Sequence, residues 1–285
     1  MNSILTNKGY TYVRDLAKGG TSKVSLLRDS IGGELVACKK IHTCHDKSLV
    51  MGPKKCIMVQ DVNREVNFMK RLVDVDGVCK YVDSFKDNDY MYILTRAYLG
   101  GTIHDYLDCS DKNTRELCVK RISWRLLHIL KDIHEKNVIH NDIKPENLLF
   151  GTMAKLDTLH LLDFGSAVDA KLPVLCHMFT PLYMPIEILS QEVDKKSDCW
   201  QVGIMLYYLL SKGSFPFNDK HNPFKPSLYK VWNSIQNDNV EFESDVWESV
   251  SKEAQDLILE LLEKKVKDRI SVEEALVHPW FNEIL

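Results

Sequence analysis

At Gly100-Gly101 the hydrophobic periodicity of this chain changes. Ahead of it, YTYVRDLAKGG, SKVSLLRD, GGELVACKKI and YVDSFKDNDYMYILTRAYL alternate strand-forming residues with turn signals, which predicts a mostly antiparallel sheet. One stretch interrupts the strands: QDVNREVNFMKRLV spaces Val62, Val66, Met69 and Leu72 along one helical face. Beyond the glycines, NTRELCVKRISWRLLHILKDIHEK, KSDCWQVGIMLYYLLSKG, SKEAQDLILELLEKK and SVEEALVHPWF carry helical periods. The expected architecture is α+β, a small sheet-rich lobe with one main helix followed by a larger, mostly helical lobe. A cleft is expected at the junction, near Arg96 to Leu99, where a small molecule could be held. Neither repeats nor low-complexity tracts occur.

With 285 residues, 45% hydrophobic and 27% charged, the chain can bury a sizeable core. A formal charge of −3 gives no support to general nucleic-acid or membrane-surface binding. The basic excess from Lys39 to Arg71 and the acidic one from Asp238 to Glu260 are expected to be solvated faces. The eight cysteines show no C-x-x-C pair and no recurring spacing, so they are expected to be reduced thiols. MNSILTNKGYTYV lacks the features of a signal peptide, and VGIMLYYLL is too short to cross a bilayer. An intracellular protein of the cytoplasm or nucleus is the expectation.

Four local patterns carry chemistry, and they come in a fixed order. LAKGGTSKV places a glycine turn between two expected strands, followed by Lys39 in VACK. Glu65 lies on the interrupting helix. HNDIKPEN then supplies Asp142, Lys144 and Asn147, and DFG supplies Asp163. From about Tyr10 to Phe281 the chain resembles the eukaryotic protein kinase family.

That resemblance implies a two-lobed kinase fold, with residues 1–96 as N-lobe and 97–285 as C-lobe, a single catalytic domain without a tail. It also implies ATP and Mg2+ as cofactors. Asp142 would accept or orient the proton of the acceptor hydroxyl. Lys144 would steady the transferred phosphate, and Asn147 and Asp163 would bind magnesium. Lys39 would meet the α- and β-phosphates and be held by an ion pair with Glu65. The nucleotide would be lined by Leu16, Ala17, Gly19, Gly20, Val24, Ala37, Lys39, Thr95, Arg96 and Tyr98, with Thr95 as gatekeeper and the Arg96 carbonyl and Tyr98 N–H facing adenine. In the family's G-x-G-x-x-G-x-V pattern the marked positions here read Ala17, Gly19, Ser22 and Val24, so only the middle glycine is kept. Gly19 and Gly20 still allow close approach of backbone N–H groups to phosphate.

Further resemblances lie in SDCWQVG, whose Asp198 would brace the catalytic loop, and in Glu187 with Arg269, a buried pair tying the activation segment to the lower helices. The segment HTCHDKSLVMGPKKCIMV, between Lys39 and Glu65, is longer than the family needs and is expected to be a loop, with a docking surface as the alternative.

Two features depart together from the family pattern. Asn141 stands where an arginine commonly pairs with a phosphate on the activation loop, and Cys176 stands where that phosphate is usually carried. Activity without loop phosphorylation is therefore expected, the loop being held by packing of Leu172, Val174, Leu175, Met178 and Phe179. Lys144 and Thr180 resemble those of serine/threonine kinases, so the partner is a protein substrate with Ser/Thr acceptors. Direct nucleic-acid binding and membrane association are not expected. The HND spelling resembles the small serine/threonine kinases of baculoviruses, which would imply a basic, DNA-condensing substrate and work in the host nucleus. The alternative to transfer is a pseudokinase, an ATP-binding scaffold.

Overall fold

The computed structural model describes residues 3–19, 22–44, 56–108, 114–153, 155–172, 180–190, 192–282 and 284. Two compact units result, Met1–Leu99 and Gly100–Leu285. Among the described residues, no helix is long and apolar enough to cross a membrane.

In the first unit, a short helix α1 (Ser3–Asn7) leads into strands β1 (Tyr10–Lys18), β2 (Ser22–Asp29), β3 (Leu35–Cys44) and β4 (Ile57–Met58), helix α2 (Val59–Arg71), and strands β5 (Tyr81–Asp87) and β6 (Tyr90–Arg96). The sheet runs β1-β2-β3-β6-β5 with every pairing antiparallel, and β4 adds to β3 in parallel. Register sorts the side chains. Residues opposite one another, or two apart along a strand, share a face. Leu27, Val36, Cys38, Tyr92 and Leu94 therefore meet on one face as a buried cluster, flanked by Ile4, Leu5, Tyr10 and Phe85. The other face carries Ala17, Val24, Ala37, Lys39 and Thr95. Helix α2 forms where the sequence predicted it, and it buries Val62, Val66, Met69 and the following Leu72.

The segment between Lys39 and Glu65 differs from the expected plain loop at its ends. Thr43 pairs with Ile57 and Cys44 with Met58; residues 45–55 lie outside the described ones. This pairing corrects the reading of all the cysteines as reduced thiols, because it brings Cys44 and Cys56 together as a disulfide with Cα atoms 5.9 Å apart. Sequence spacing could not show this, since the partners meet only through a strand pairing. Cys38, Cys79, Cys118 and Cys199 are buried.

The second unit opens with α3 (Ile103–Asp108) and the long α4 (Arg115–Glu135), followed by β7 (Val138–Ile139), β8 (Leu148–Phe150), β9 (Leu159–Leu161) and β10 (Val168–Asp169). Strands β8 and β9 form an antiparallel hairpin, and β10 pairs with β7. Helices α5 (Lys195–Leu210), α6 (Leu228–Asn237), α7 (Lys252–Leu261) and α8 (Val272–Leu276) complete it. Helix α5 starts at a capping box in which Asp194 and Ser197 exchange hydrogen bonds. It is apolar on nearly all sides and almost wholly buried, so it is the post around which this unit packs. Gly100 is required by crowding: a Cβ there would stand 2.5 Å from the Thr152 backbone, and its N–H donates to the Phe150 carbonyl at 2.7 Å.

Candidate active site

The first unit holds one ion pair of functional interest. Lys39 Nζ lies 2.7 Å from Glu65 Oε1, and Glu65 is buried. Strand β3 fixes the lysine by its register with Val24 and Ile93, and the one-sided burial of α2 fixes the glutamate. Ala17, Val24, Ala37 and Thr95 share the face of the sheet that carries Lys39, giving a small, mostly apolar floor beside a cation. Leu16 lies on β1, Gly19 donates its N–H to the Ser22 carbonyl at 2.8 Å, and Gly20 lies outside the described residues. After β6, Arg96 and Ala97 donate their N–H groups to the carbonyls of Lys80 and Leu35. Tyr98 is buried, and its hydroxyl accepts from the Lys80 N–H at 2.9 Å. Burial pushes that phenol up to about 12.

The second unit gathers the catalytic-loop residues. Lys144 Nζ lies 2.7 Å from Asp142 Oδ2 and donates to Thr180 Oγ1 at 2.8 Å; the Thr180 hydroxyl donates to Asp142 Oδ1 at 2.7 Å. Asn147 Nδ2 donates to Asp142 Oδ2 at 2.9 Å and to the Asp142 carbonyl at 2.7 Å. The carboxylate is thus oriented by three side chains. Close by, Tyr183 is held protonated: burial raises its phenol, and the nearby Glu146 and Asp142 carboxylates add to the rise.

Asp163 sits next in the arrangement. The Asn147 carbonyl accepts from the N–H of Leu162 at 2.8 Å, which sets the residue before Asp163 against the main chain of Asn147. Asp163 is exposed, has φ 62°, and accepts from the Gly165 N–H at 3.2 Å. The donor set suits magnesium. Asn147 spends its amide N–H groups on Asp142, which leaves its side-chain carbonyl oxygen as the atom for a cation, and Asp163 adds a carboxylate. Magnesium is commonly held by one or two carboxylates together with substrate phosphates rather than by an all-protein cage. Among the described residues no group of three or more His, Cys, Asp or Glu could hold a metal.

Backbone strain marks the loop. Asn141 has φ 62°, a left-handed conformation that costs a non-glycine residue on the order of 1–3 kcal/mol. Asp198, fully buried, accepts from the N–H groups of His140 at 2.9 Å and Asn141 at 2.7 Å, as expected for a brace. His134 Nε2 donates to the same carboxylate at 2.8 Å. His140 Nδ1 accepts from the Asp142 N–H at 3.2 Å and its Nε2 donates to the Leu162 carbonyl at 3.0 Å, which fixes the Nε2–H tautomer. Farther down, Arg269 and Glu187 form the expected buried pair, with Ser197 Oγ donating to Glu187 at 2.6 Å.

The activation segment is only partly described. The Asn141 amide reaches the Ser166 carbonyl at 3.5 Å, an uncharged contact from the position where the family pattern carries arginine. Leu172 corrects the packing expectation, since it is 64% exposed and cannot anchor the loop. Val174, Leu175, Cys176, Met178 and Phe179 lie outside the described residues. Sequence reasoning missed His134, His140 and Gln201, whose roles depend on contacts between α4, α5 and the loop.

The family model of the protein kinase domain matches residues 10–281. The chain is a member of that family. It is 30% identical over 282 residues to a calcium-dependent protein kinase 4 of Plasmodium falciparum, covering 98% of this chain and 50% of the relative. Similar values relate it to the serine/threonine-protein kinase PEPKR2 of Arabidopsis thaliana: 30% over 273 residues, 95% of this chain and 53% of the relative. A calcium-dependent protein kinase 24 of the same plant is 31% identical over 226 residues, 79% of this chain and 38% of the relative. The chain therefore spans about half the length, or less, of these curated relatives.

Proposed function

We propose that this protein is a serine/threonine protein kinase that transfers the γ-phosphate of ATP to a protein hydroxyl and needs no phosphate on its activation loop. The observation that carries the reading is the Asp142 carboxylate held by Lys144, Asn147 and Thr180. Bound Mg-ATP supplies the phosphoryl group and neutralises its charge. Asp142 takes the hydroxyl proton of the acceptor, within reach of Lys144, which meets the transferring phosphate. Asn147 and Asp163 offer oxygen ligands to the cation, and Lys39, held by Glu65, offers its ammonium to the nucleotide phosphates.

Support for phosphate independence comes from the second unit. Asn141 contacts the Ser166 carbonyl without a charge to be satisfied, and Thr180 bonds directly to the catalytic loop. Work inside the cell, in cytoplasm or nucleus, fits the use of ATP. A basic, serine- and arginine-rich protein is the first substrate to try.

The test is transfer of labelled γ-phosphate from Mg-ATP to such a protein and to casein, with Asp142→Asn as control. Transfer by the unaltered chain but not by the control is expected, and it should survive phosphatase pretreatment. Nucleotide binding without transfer to any acceptor would favour a pseudokinase. Loss of activity with a phosphate removed from the activation segment would overturn phosphate independence.

A further inference from the structure

Six main-chain groups around Asp142 end on side chains. The N–H groups of His140 and Asn141 end on Asp198, that of Asp142 on the His140 ring, and the Asp142 carbonyl on Asn147. Two more peptide groups end on a single side chain. Gln201 Oε1 accepts from the Ile143 N–H at 2.8 Å, and Gln201 Nε2 donates to the Asn141 carbonyl at 3.1 Å. One amide therefore grips the chain on both sides of Asp142. Its orientation is dictated by its partners, because an N–H can only donate and a carbonyl can only accept.

Gln201 is fully buried, on a helix that is otherwise largely apolar. A buried amide carries a desolvation cost unless its hydrogen bonds are made. Here both contacts go to the catalytic loop. Gln201 lies three residues after Asp198, so both side chains leave the same face of α5. Asp198 holds the two N–H groups that precede Asp142, and Gln201 holds the peptide groups that flank it. Between these contacts lies Asn141, in its left-handed conformation. A loop strained at one residue keeps its shape only where its surroundings over-determine it.

From this geometry we infer that Gln201 is a positioning residue for phosphoryl transfer, setting the orientation of Asp142 through the peptide groups on either side. It touches neither substrate nor nucleotide. The inference rests on the kinase reading above, and it assigns to α5 a second polar contact alongside the Asp198 brace. Misplacing a reacting group by about 1 Å can cost on the order of 100-fold in rate. Losing the amide should therefore appear in kcat and leave nucleotide affinity alone.

The experiment compares the unaltered chain with Gln201→Met, which keeps length and loses both bonds, and Gln201→Glu, which can still accept from Ile143 but cannot donate to Asn141. Initial rates would be divided by the number of sites that bind a fluorescent ATP analogue, so that unfolded protein does not count. Expected are a kcat about 10- to 100-fold lower for Gln201→Met, a smaller loss for Gln201→Glu, and a KM for ATP within twofold of the unaltered value. The glutamate variant keeps the test decisive where the methionine variant does not fold. Rates per binding site equal to those of the unaltered chain would show that Gln201 only supports folding, and would overturn the inference. So would a rise in KM for ATP with kcat unchanged. Failure of the unaltered chain to transfer phosphate would instead sink the kinase reading, and the inference with it.

Discussion

Thr180 donates its hydroxyl to Asp142 at 2.7 Å while accepting from Lys144 at 2.8 Å. This links the far end of the activation segment to the Asp142 carboxylate through one small side chain. Thr180→Val keeps the shape and removes both bonds, whereas Thr180→Ser keeps the hydroxyl. A hydrogen bond worth about 1.4 kcal/mol in the transition state corresponds to tenfold in rate. Thr180→Val should lower kcat by about tenfold or more, and Thr180→Ser should stay within about threefold. A loss for Thr180→Ser as large as that for Thr180→Val would mean that the hydroxyl bonds alone do not account for the effect.

Arg269 reaches Glu187 through two bonds, 2.7 and 3.0 Å long, with its guanidinium also donating to the carbonyls of Glu263 and Lys196. It lies 4.9 Å from the Trp200 ring centroid, and both pair members are almost fully buried. Removing one partner of a buried pair leaves the other charge uncompensated, at a cost of about 3–5 kcal/mol. Arg269→Met alone should therefore destabilise strongly in urea unfolding. Replacing Glu187 by Gln in addition should recover part of the loss, and strict additivity of the two changes would count against the pairing argument.

Much of this arrangement was legible in the sequence. Alternating residues before Gly100 and helical periods after it predicted the elements, and α2 buries the face that Val62, Val66, Met69 and Leu72 marked. Lys39, Asp142 and Asn147 stood out through their place in kinase-like motifs, and each makes a side-chain bond in the structure. Gln201 did not, because within VGIMLYYLL and its surroundings a polar residue reads as one interruption of a core helix. The available signal was its place three residues after Asp198 in a helix with little other polarity. The pairing of Cys44 with Cys56 had no local signature, since it arises when β4 joins β3. Leu172 shows the opposite failure: an apolar residue in a loop invites a packing argument, yet its side chain is solvent-exposed.

The disulfide leads to a stability prediction. Cys44 and Cys56 are 12 residues apart, and closing a loop of about 15 residues restricts the unfolded chain by about 3 kcal/mol in the chain-entropy account. Cys44→Ser should lower unfolding free energy by about 2–3 kcal/mol in an oxidising buffer and change little under excess dithiothreitol. Intact mass under non-reducing conditions would show the two missing hydrogens. Cys38 serves as the internal control. Burial pushes its thiol up to about 12, with Lys40 opposing only in part, so iodoacetamide at neutral pH should leave it unlabelled in the folded protein. A stability unchanged by Cys44→Ser in the oxidised state would argue against the cross-link.

Asp105 gives a pH-dependent prediction. Its carboxylate accepts from the Thr102 N–H at 2.7 Å and from the Thr102 hydroxyl at 2.8 Å, while the Asp105 N–H donates back to Thr102, a reciprocal cap at the start of α3. The backbone bond from Thr102, then the hydroxyl bond, hold this carboxyl below its ordinary value in the folded state. For a group lowered on folding, the stabilisation is fully present above the ordinary carboxylate range and fades as pH falls through the lowered value. Asp105→Asn should therefore be less stable than the unaltered chain at pH 7, and the gap should narrow as pH falls below the ordinary carboxylate range and through the lowered value. Thermal melts of the two proteins across that range would check it. A gap that does not narrow as pH falls below the ordinary carboxylate range would show that shape rather than charge makes the cap, since only the charged form carries the pH dependence.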